Sequence, residues 1–237
     1  MVNKYWISRS AQDFINLRID SRLYILHKRI GEFIKYYKAG SVLDYGGGEG
    51  FLSMVLEPDI LYGYYDINPD FAKIASKTLK ESNVRNFNIY HEREEIPETI
   101  FDVIVVSLVI LTIFDKNEII NILEYLKQKL STHGVIIIGD THPCFREKVF
   151  STFHTEFSLS HEFDYFRSKP FKVFLRSNTQ TGFVSFKDFH YSLSDYFYFF
   201  RRSNLNVVNL EELKDSSIEG GGSNYSFSPY IIFILKK

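Results

Sequence analysis

A single cysteine, Cys144, stands among 237 residues, so no internal disulfide can staple the chain, and no Cys/His set has zinc spacing. No resident metal is expected. Neither sign of charge predominates: 28 Lys and Arg face 29 Asp and Glu, which leaves no broad positive field to draw the chain onto phosphate backbones or anionic lipid. Nucleic acid is therefore not the expected partner. No apolar run approaches the ~20 residues of a membrane span, and the opening Met-Val-Asn-Lys-Tyr-Trp lacks a signal peptide's apolar core. The expectation is a cytoplasmic protein without membrane contact. Repeats and low-complexity stretches are also missing. What the chain does have is 45% hydrophobic residues, enough to bury one substantial core as a single domain with an insertion.

The chain is organised around Ser41 to Gly50, Ser-Val-Leu-Asp-Tyr-Gly-Gly-Gly-Glu-Gly. Ser41 to Tyr45 is a short buried strand ending in an acid, and the glycines after it present bare backbone to a ligand. Phe51 to Leu56 carries no breaker before Pro58 and predicts a helix aimed at the same crevice. That geometry suits a nucleotide-like cofactor.

Ahead of this stretch, Asn3 to Gly40 reads as helical: Leu23, Leu26, Ile30, Phe33, Ile34 and Tyr37 recur at three- and four-residue steps, and Gly40 is the expected stop. Tyr5, Trp6, Phe14 and Arg18 form a separate amphipathic piece, either a lid over the cofactor mouth or ordinary packing. Beyond it, Leu61 to Tyr65 is a second strand ending at Asp66. Asn68-Pro69-Asp70 opens a helix with its own cap, which leaves Asp66 available to accept both hydroxyl protons of a ribose. Phe87 to Tyr90, the apolar Phe101 to Ser107 and Val135 to Gly139 are further parallel strands. The polar run His91 to Glu95 follows the first of them. Asp115 to Glu118 caps a helix before Gly134, and the last of these strands delivers Asp140, Thr141 and His142 to the common edge.

From Phe145 to Phe189 the pattern changes, with 11 of the 23 phenylalanines in 45 residues. Phe171 to Arg176 and Gly182 to Phe186, around Asn178, alternate as a β-hairpin, so the segment reads as an inserted aromatic cap. Ser192 to Ser203 is then an aromatic helix. Leu205 to Leu210 and Tyr230 to Leu235 are closing strands, joined through Gly220-Gly221-Gly222-Ser223-Asn224 as an antiparallel pair. The expected divisions of the one domain are 1–40 (lid and helix), 41–140 (cofactor core), 141–190 (cap) and 191–237 (closing helix and strand pair).

Glycine spacing separates two cofactor classes. A dinucleotide fingerprint from Gly46 and Gly48 requires glycine at position 51, where the chain has Phe51. The pattern present is Asp44-x-Gly46-x-Gly48-x-Gly50. With Asp66, the apolar strand ending at Ser107 and an antiparallel final pair, the chain resembles the class I S-adenosylmethionine-dependent methyltransferases of small-molecule type. The resemblance implies an α/β fold, a Rossmann-like seven-stranded mixed sheet with helices on both faces. It implies that Asp44 helps hold the amino-acid end of S-adenosyl-L-methionine, that Gly46, Gly48 and Gly50 admit its path, and that Asp66 binds the ribose. Ile67 would pack on the adenine, and Ser107 and Leu108 would lie near the methionine portion. Glu92 and Arg93 stand where the family often has an aspartate on the adenine amino group.

Methyl transfer needs alignment, exclusion of water and, for a hydroxyl or protonated amine, loss of a proton. His190 and His142 are the candidate bases, although many such enzymes need none. A histidine before proline, as His142 is, also serves as a turn cap. Tyr5, Trp6, Tyr165 and Tyr191 are candidate pocket walls or packing. The expected activity is transfer to an O, N or C atom of a small, partly apolar acceptor by a monomer or homodimer. The alternatives are a non-catalytic cofactor-binding subunit and a nicotinamide-dependent oxidoreductase.

Overall fold

Leu26, Ile30, Phe33 and Ile34 recur at helical spacing and are buried along one face of α1 (Ser21–Tyr36). The structure, a computed structural model, describes residues 21–146, 153–156, 164–176, 183–213 and 228–237. The expected lid residues Tyr5, Trp6, Phe14 and Arg18, the turn at Asn178 and the 220–224 connection lie outside these. α1 ends four residues before the expected stop at Gly40. Lys38 N–H donates to Lys35 O at 3.0 Å and Ala39 N–H to Ile34 O at 3.2 Å, with Lys38 itself at φ 52°. This is a Schellman closure on a lysine, and it costs on the order of 1 kcal/mol relative to glycine.

The elements that follow are β1 (Ser41–Tyr45), β2 (Leu61–Tyr65), α2 (Pro69–Glu81), β3 (Asn86–Tyr90), β4 (Phe101–Ser107), α3 (Lys116–Lys129) and β5 (Leu130–Thr141). Then come β6 (Phe153–Glu156), β7 (Lys169–Arg176), β8 (Phe183–His190), α4 (Leu193–Arg202), β9 (Asn206–Leu213) and β10 (Tyr230–Lys236). Seven strands form one sheet in the order β3-β2-β1-β4-β5-β10-β9. The first five are parallel, and β10 runs antiparallel to both β5 and β9. The order reverses between β1 and β4, which opens a crevice at their C-terminal ends. Val103, Val105, Val135 and Ile137 face α1 and α2, while Ile104, Val106, Ile136 and Ile138 face α3 and α4. Strand alternation thus builds a core on each side of the sheet.

Two local expectations differ. The residues after the glycine bend form a 3-10 turn, Phe51–Val55, rather than an α-helix, because Gly50 enters it at φ 77° and Pro58 disfavours helical backbone at Glu57. β5 begins at Leu130, directly after α3, so Gly134 lies inside the strand rather than ahead of it. A Cβ on Gly134 would stand 2.8 Å from the Phe101 carbonyl oxygen, and the ladder shifts register there, between Phe101 and Val103. Close approach of β4 explains this glycine.

Asp102 ties the start of β1 to its neighbours. One carboxylate oxygen accepts from Gly40 N at 2.9 Å, Ser41 N at 3.2 Å and Ser41 Oγ at 3.1 Å, and the other accepts from Ser131 Oγ at 3.1 Å. Asp102→Ala is expected to lower the unfolding free energy by about 2 kcal/mol in urea titration, with the folded spectrum unchanged.

The aromatic insertion forms a second, three-stranded antiparallel sheet, β6-β7-β8, which includes the expected hairpin. β8 runs straight into α4, whose Ser192 and Asp195 make a reciprocal capping box. Lys116 Nζ reaches Asp195 at 2.6 Å, and Tyr196 stacks on Phe233 with ring centroids 5.4 Å apart. These contacts seat the cap's last strand beside the C-terminal edge of the main sheet.

Candidate functional site

The bend after β1 is shaped by what surrounds it. Gly46 N–H donates to the Tyr65 carbonyl at 2.7 Å, which turns the chain over the tip of β2. Gly46 sits at φ 75°, and a Cβ there would stand 2.5 Å from Val109 Cγ2. A Cβ on Gly47 would meet the Asp44 carboxylate at 2.6 Å. Gly48, at φ 52°, has nothing within 4 Å of its Cβ position, so the bend is open there. Gly50 packs against Ala75 of α2.

Two acids and two tyrosines brace the bend. Asp66 Oδ2 accepts from Gly48 N at 3.0 Å, and its Oδ1 accepts from Asn68 N at 2.8 Å. Asn68 caps α2 through Asp70 N, as the sequence predicts, so Asp66 is spared that task. Tyr64 donates its hydroxyl to the Gly48 carbonyl, and Tyr62 donates to Asp44, both at 2.5 Å. Burial pushes Asp44 up to about 7, against the opposing Tyr62 hydrogen bond, and pushes Glu49 up to about 7 and Asp66 to about 6. Three carboxyls thus crowd one bend.

Asp44, Ser107 and Thr141 fall on one face of the sheet by strand alternation from Val42, Val105 and Ile137. Ser107 Oγ and Thr141 Oγ1 are buried and have no hydrogen-bond partner among the described residues. Leu108 follows at φ 56°, a strained conformation for a branched side chain, and its N–H donates to Gly139 O at 2.8 Å. Orphaned hydroxyls beside a strained residue fit a group that brings its own polar atoms. Ile67 lies exposed just past β2. Glu92 is exposed after β3. The Arg93 guanidinium lies 4.8 Å over the Tyr125 ring and 3.8 Å from Glu118, so its charge serves α3.

The two histidines are placed differently. His142 Nδ1 accepts from Cys144 N at 3.2 Å, capping the turn Pro143–Phe145, and its Nε2 lies 2.6 Å from Glu212 of β9. Both ring nitrogens are engaged. His190 closes β8, and its Nε2 donates to the Tyr165 carbonyl at 2.9 Å. Burial, aided by the nearby Arg146 charge, lowers it to about 4, which keeps the ring neutral at pH 7. Tyr191 is fully buried and donates to the Ile113 carbonyl at 2.6 Å, which makes it core.

Sequence reasoning missed a cluster beside His190. Asp140, at the tip of β5, accepts from Tyr196 at 2.6 Å and from Thr141 N at 2.7 Å, and Arg146 Nη2 lies 3.9 Å from it. Asp188 of β8 is buried nearby, its carboxyl pushed well up by desolvation against the pull of Arg146. Nothing in local sequence marks Arg146 or Asp188. Among the described residues, no group of three or more His, Cys, Asp or Glu is placed to hold a metal, and no helix is long and apolar enough to cross a membrane.

This crevice, at the C-terminal ends of β1, β2 and β4, belongs to the fold of the S-adenosylmethionine-dependent methyltransferases. No protein-family model and no curated protein matches the sequence, so the likeness is one of structure. A Clostridium acetobutylicum S-adenosylmethionine-dependent methyltransferase superposes with TM-score 0.61 at 15% identity, covering 92% of each chain. A Leishmania major S-adenosylmethionine-dependent methyltransferase gives TM-score 0.64 at 15% identity, over 99% of this chain and 81% of that one. The glycopeptide N-methyltransferase MtfA, solved with S-adenosyl-L-methionine, gives 0.60 at 14% identity over 89% and 86%. At such identities the likeness establishes the fold.

Proposed function

We propose that the chain is a methyltransferase that uses S-adenosyl-L-methionine and carries the methyl group to an O, N or C atom of a small, partly apolar acceptor beside the β6-β7-β8 cap. One arrangement carries the reading. In this fold, Asp44 precedes a glycine bend that is open above Gly48, and the Gly48 amide is held by the acid at the next strand tip. The bound cofactor would supply a methyl group already activated on a sulfonium.

The chain's own residues then bind and align. Asp66 uses one lone pair on each oxygen for backbone amides, which leaves a second on each for the two ribose hydroxyls. Asp44, Ser107 and Thr141 face the amino-acid end. Gly46, Gly48 and Gly50 let the backbone pass close, Ile67 and Glu92 border the adenine, and Leu108 borders the methionine chain. The Arg93 charge is spent on α3, so we assign it no adenine contact. His190, neutral and beside the cluster of Asp140, Arg146 and Asp188, is the candidate proton acceptor, and we read His142 as a turn cap.

Calorimetric titration tests the cofactor assignment. S-adenosylhomocysteine is expected to bind, and Asp66→Ala is expected to weaken it by more than about 1 kcal/mol, roughly fivefold. Unchanged affinity in the variant, or tighter binding of NAD, overturns the reading. Turnover against a metabolite panel tests catalysis, and binding with no turnover favours a non-catalytic subunit.

A further inference from the structure

The cap holds more hydrogen-bonding capacity than the described residues use. Arg146 is 2% exposed and leaves Nε and Nη1 without partners among the described residues, and Asp188, 4% exposed, leaves Oδ1 without one. Both lie on one side of the β7–β8 hairpin. The Arg146 guanidinium sits 5.1 Å over the Phe171 ring, and Phe171 stands directly opposite Asp188 in the ladder, where cross-strand side chains share a face. His190, two residues beyond Asp188, points the same way. Asp140 does not fill the gap: its carboxylate is held by Tyr196 and Thr141 N and stays 3.9 Å from Arg146, beyond hydrogen-bond distance.

Buried charged groups left short of partners are costly, and a ligand that completes them is bound in proportion. Arg146 requires acceptors, whereas the Asp188 carboxyl, disfavoured as an anion by burial, is stabilised in its ionised form by a cationic donor. A simple anion would meet two carboxyls, and a simple cation would meet the guanidinium. A dipolar ligand satisfies both. We infer that this cluster is the acceptor subsite and that the acceptor is an amino-carboxylate, an amino acid or near relative. Its carboxylate lies against Arg146 Nε and Nη1, and its amine lies against Asp188 Oδ1. Naming this ligand the acceptor rests on the methyltransferase reading; its binding does not.

The test is direct binding by the full-length protein, with and without saturating S-adenosylhomocysteine, to the twenty standard L-amino acids. Each binder is then compared with its decarboxylated amine and its deaminated acid. At least one amino acid is expected to bind, with both analogues tenfold or more weaker. Arg146→Met is expected to abolish the preference over the amine, and Asp188→Asn, a near-isosteric change, the preference over the acid. The inference fails if no amino acid binds to protein that does bind S-adenosylhomocysteine, or if the analogues bind equally. It also fails if Asp188→Asn shifts the melting temperature yet leaves the preference intact, which marks the cluster as a latch holding the cap. Should S-adenosylhomocysteine not bind while an amino acid does, the methyltransferase reading falls and the subsite stands.

Discussion

Affinity for S-adenosyl-L-methionine is expected to fall about fiftyfold or more between pH 7.5 and pH 5. The cofactor carries a net positive charge at its sulfonium, and the bend presents Asp44 raised to about 7, Glu49 to about 7 and Asp66 to about 6, all chiefly by burial. Ionised carboxylates favour the cation, so binding must strip any protons these acids hold. Below about pH 7 each further unit then costs up to about tenfold per protonated group. Stability runs the opposite way. A carboxyl whose pKa is higher folded than unfolded keeps a proton that the unfolded chain has already lost. Its stabilising effect is therefore complete below about pH 4 and is lost as pH rises towards 7, on the order of 4 kcal/mol for Asp44. His27, His142 and His190, lowered by burial, slope in the other sense, so the readout is the difference between the native protein and Asp44→Asn. Titrations and thermal melts at the two pH values check this. An affinity independent of pH would remove the acids from the cofactor site.

Gly46→Val is expected to abolish detectable cofactor binding and to cost more than about 3 kcal/mol of stability. The residue sits at φ 75°, where a β-branched side chain is strongly disfavoured, and its Cβ would lie 2.5 Å from a methyl of Val109. Val109 is itself stiff about χ1 and follows the strained Leu108, so the clash must move backbone. Gly48→Ala is the informative contrast. Its Cβ meets nothing within 4 Å, so the variant should fold with a loss of about 1 kcal/mol from its left-handed φ, yet bind cofactor poorly because the methyl enters the space meant for the ligand. Urea melts and titration separate the two effects. Full affinity in Gly48→Ala would show that the ligand lies elsewhere.

What the sequence made legible was local. Leu61 to Tyr65 and Phe101 to Ser107 are strands at the expected bounds because apolar runs between turn signals need no distant information. The Asn68-Pro69 start of α2 and the Ser192 start of α4 follow from side chains that reach only two or three residues along. Gly134 misled because its reason is the Phe101 carbonyl across the ladder rather than a turn. Lys38 closes α1 where a glycine was the natural choice, since the Ile34 and Lys35 carbonyls supply the bonds. Asp44 and Asp66 were recognisable as candidate site residues from their strand tips. Arg146 and Asp188 were not, since only the folding of the cap over the sheet edge brings them together, and neither carries a periodic or spaced signal.

β10 imposes an order on biosynthesis. Tyr230 pairs with Thr141, and Leu235 with Ile136, so β5 waits for a partner made long after it, with the whole cap synthesised in between. Until β10 emerges from the ribosome, one flank of β5 presents unsatisfied backbone flanked by Ile136, Ile137 and Ile138, a template for pairing with any other extended chain. The half of the sheet that carries the glycine bend can assemble early; the half beside the β6-β7-β8 sheet cannot. Truncations before residue 230 should therefore accumulate as aggregates rather than as smaller working proteins.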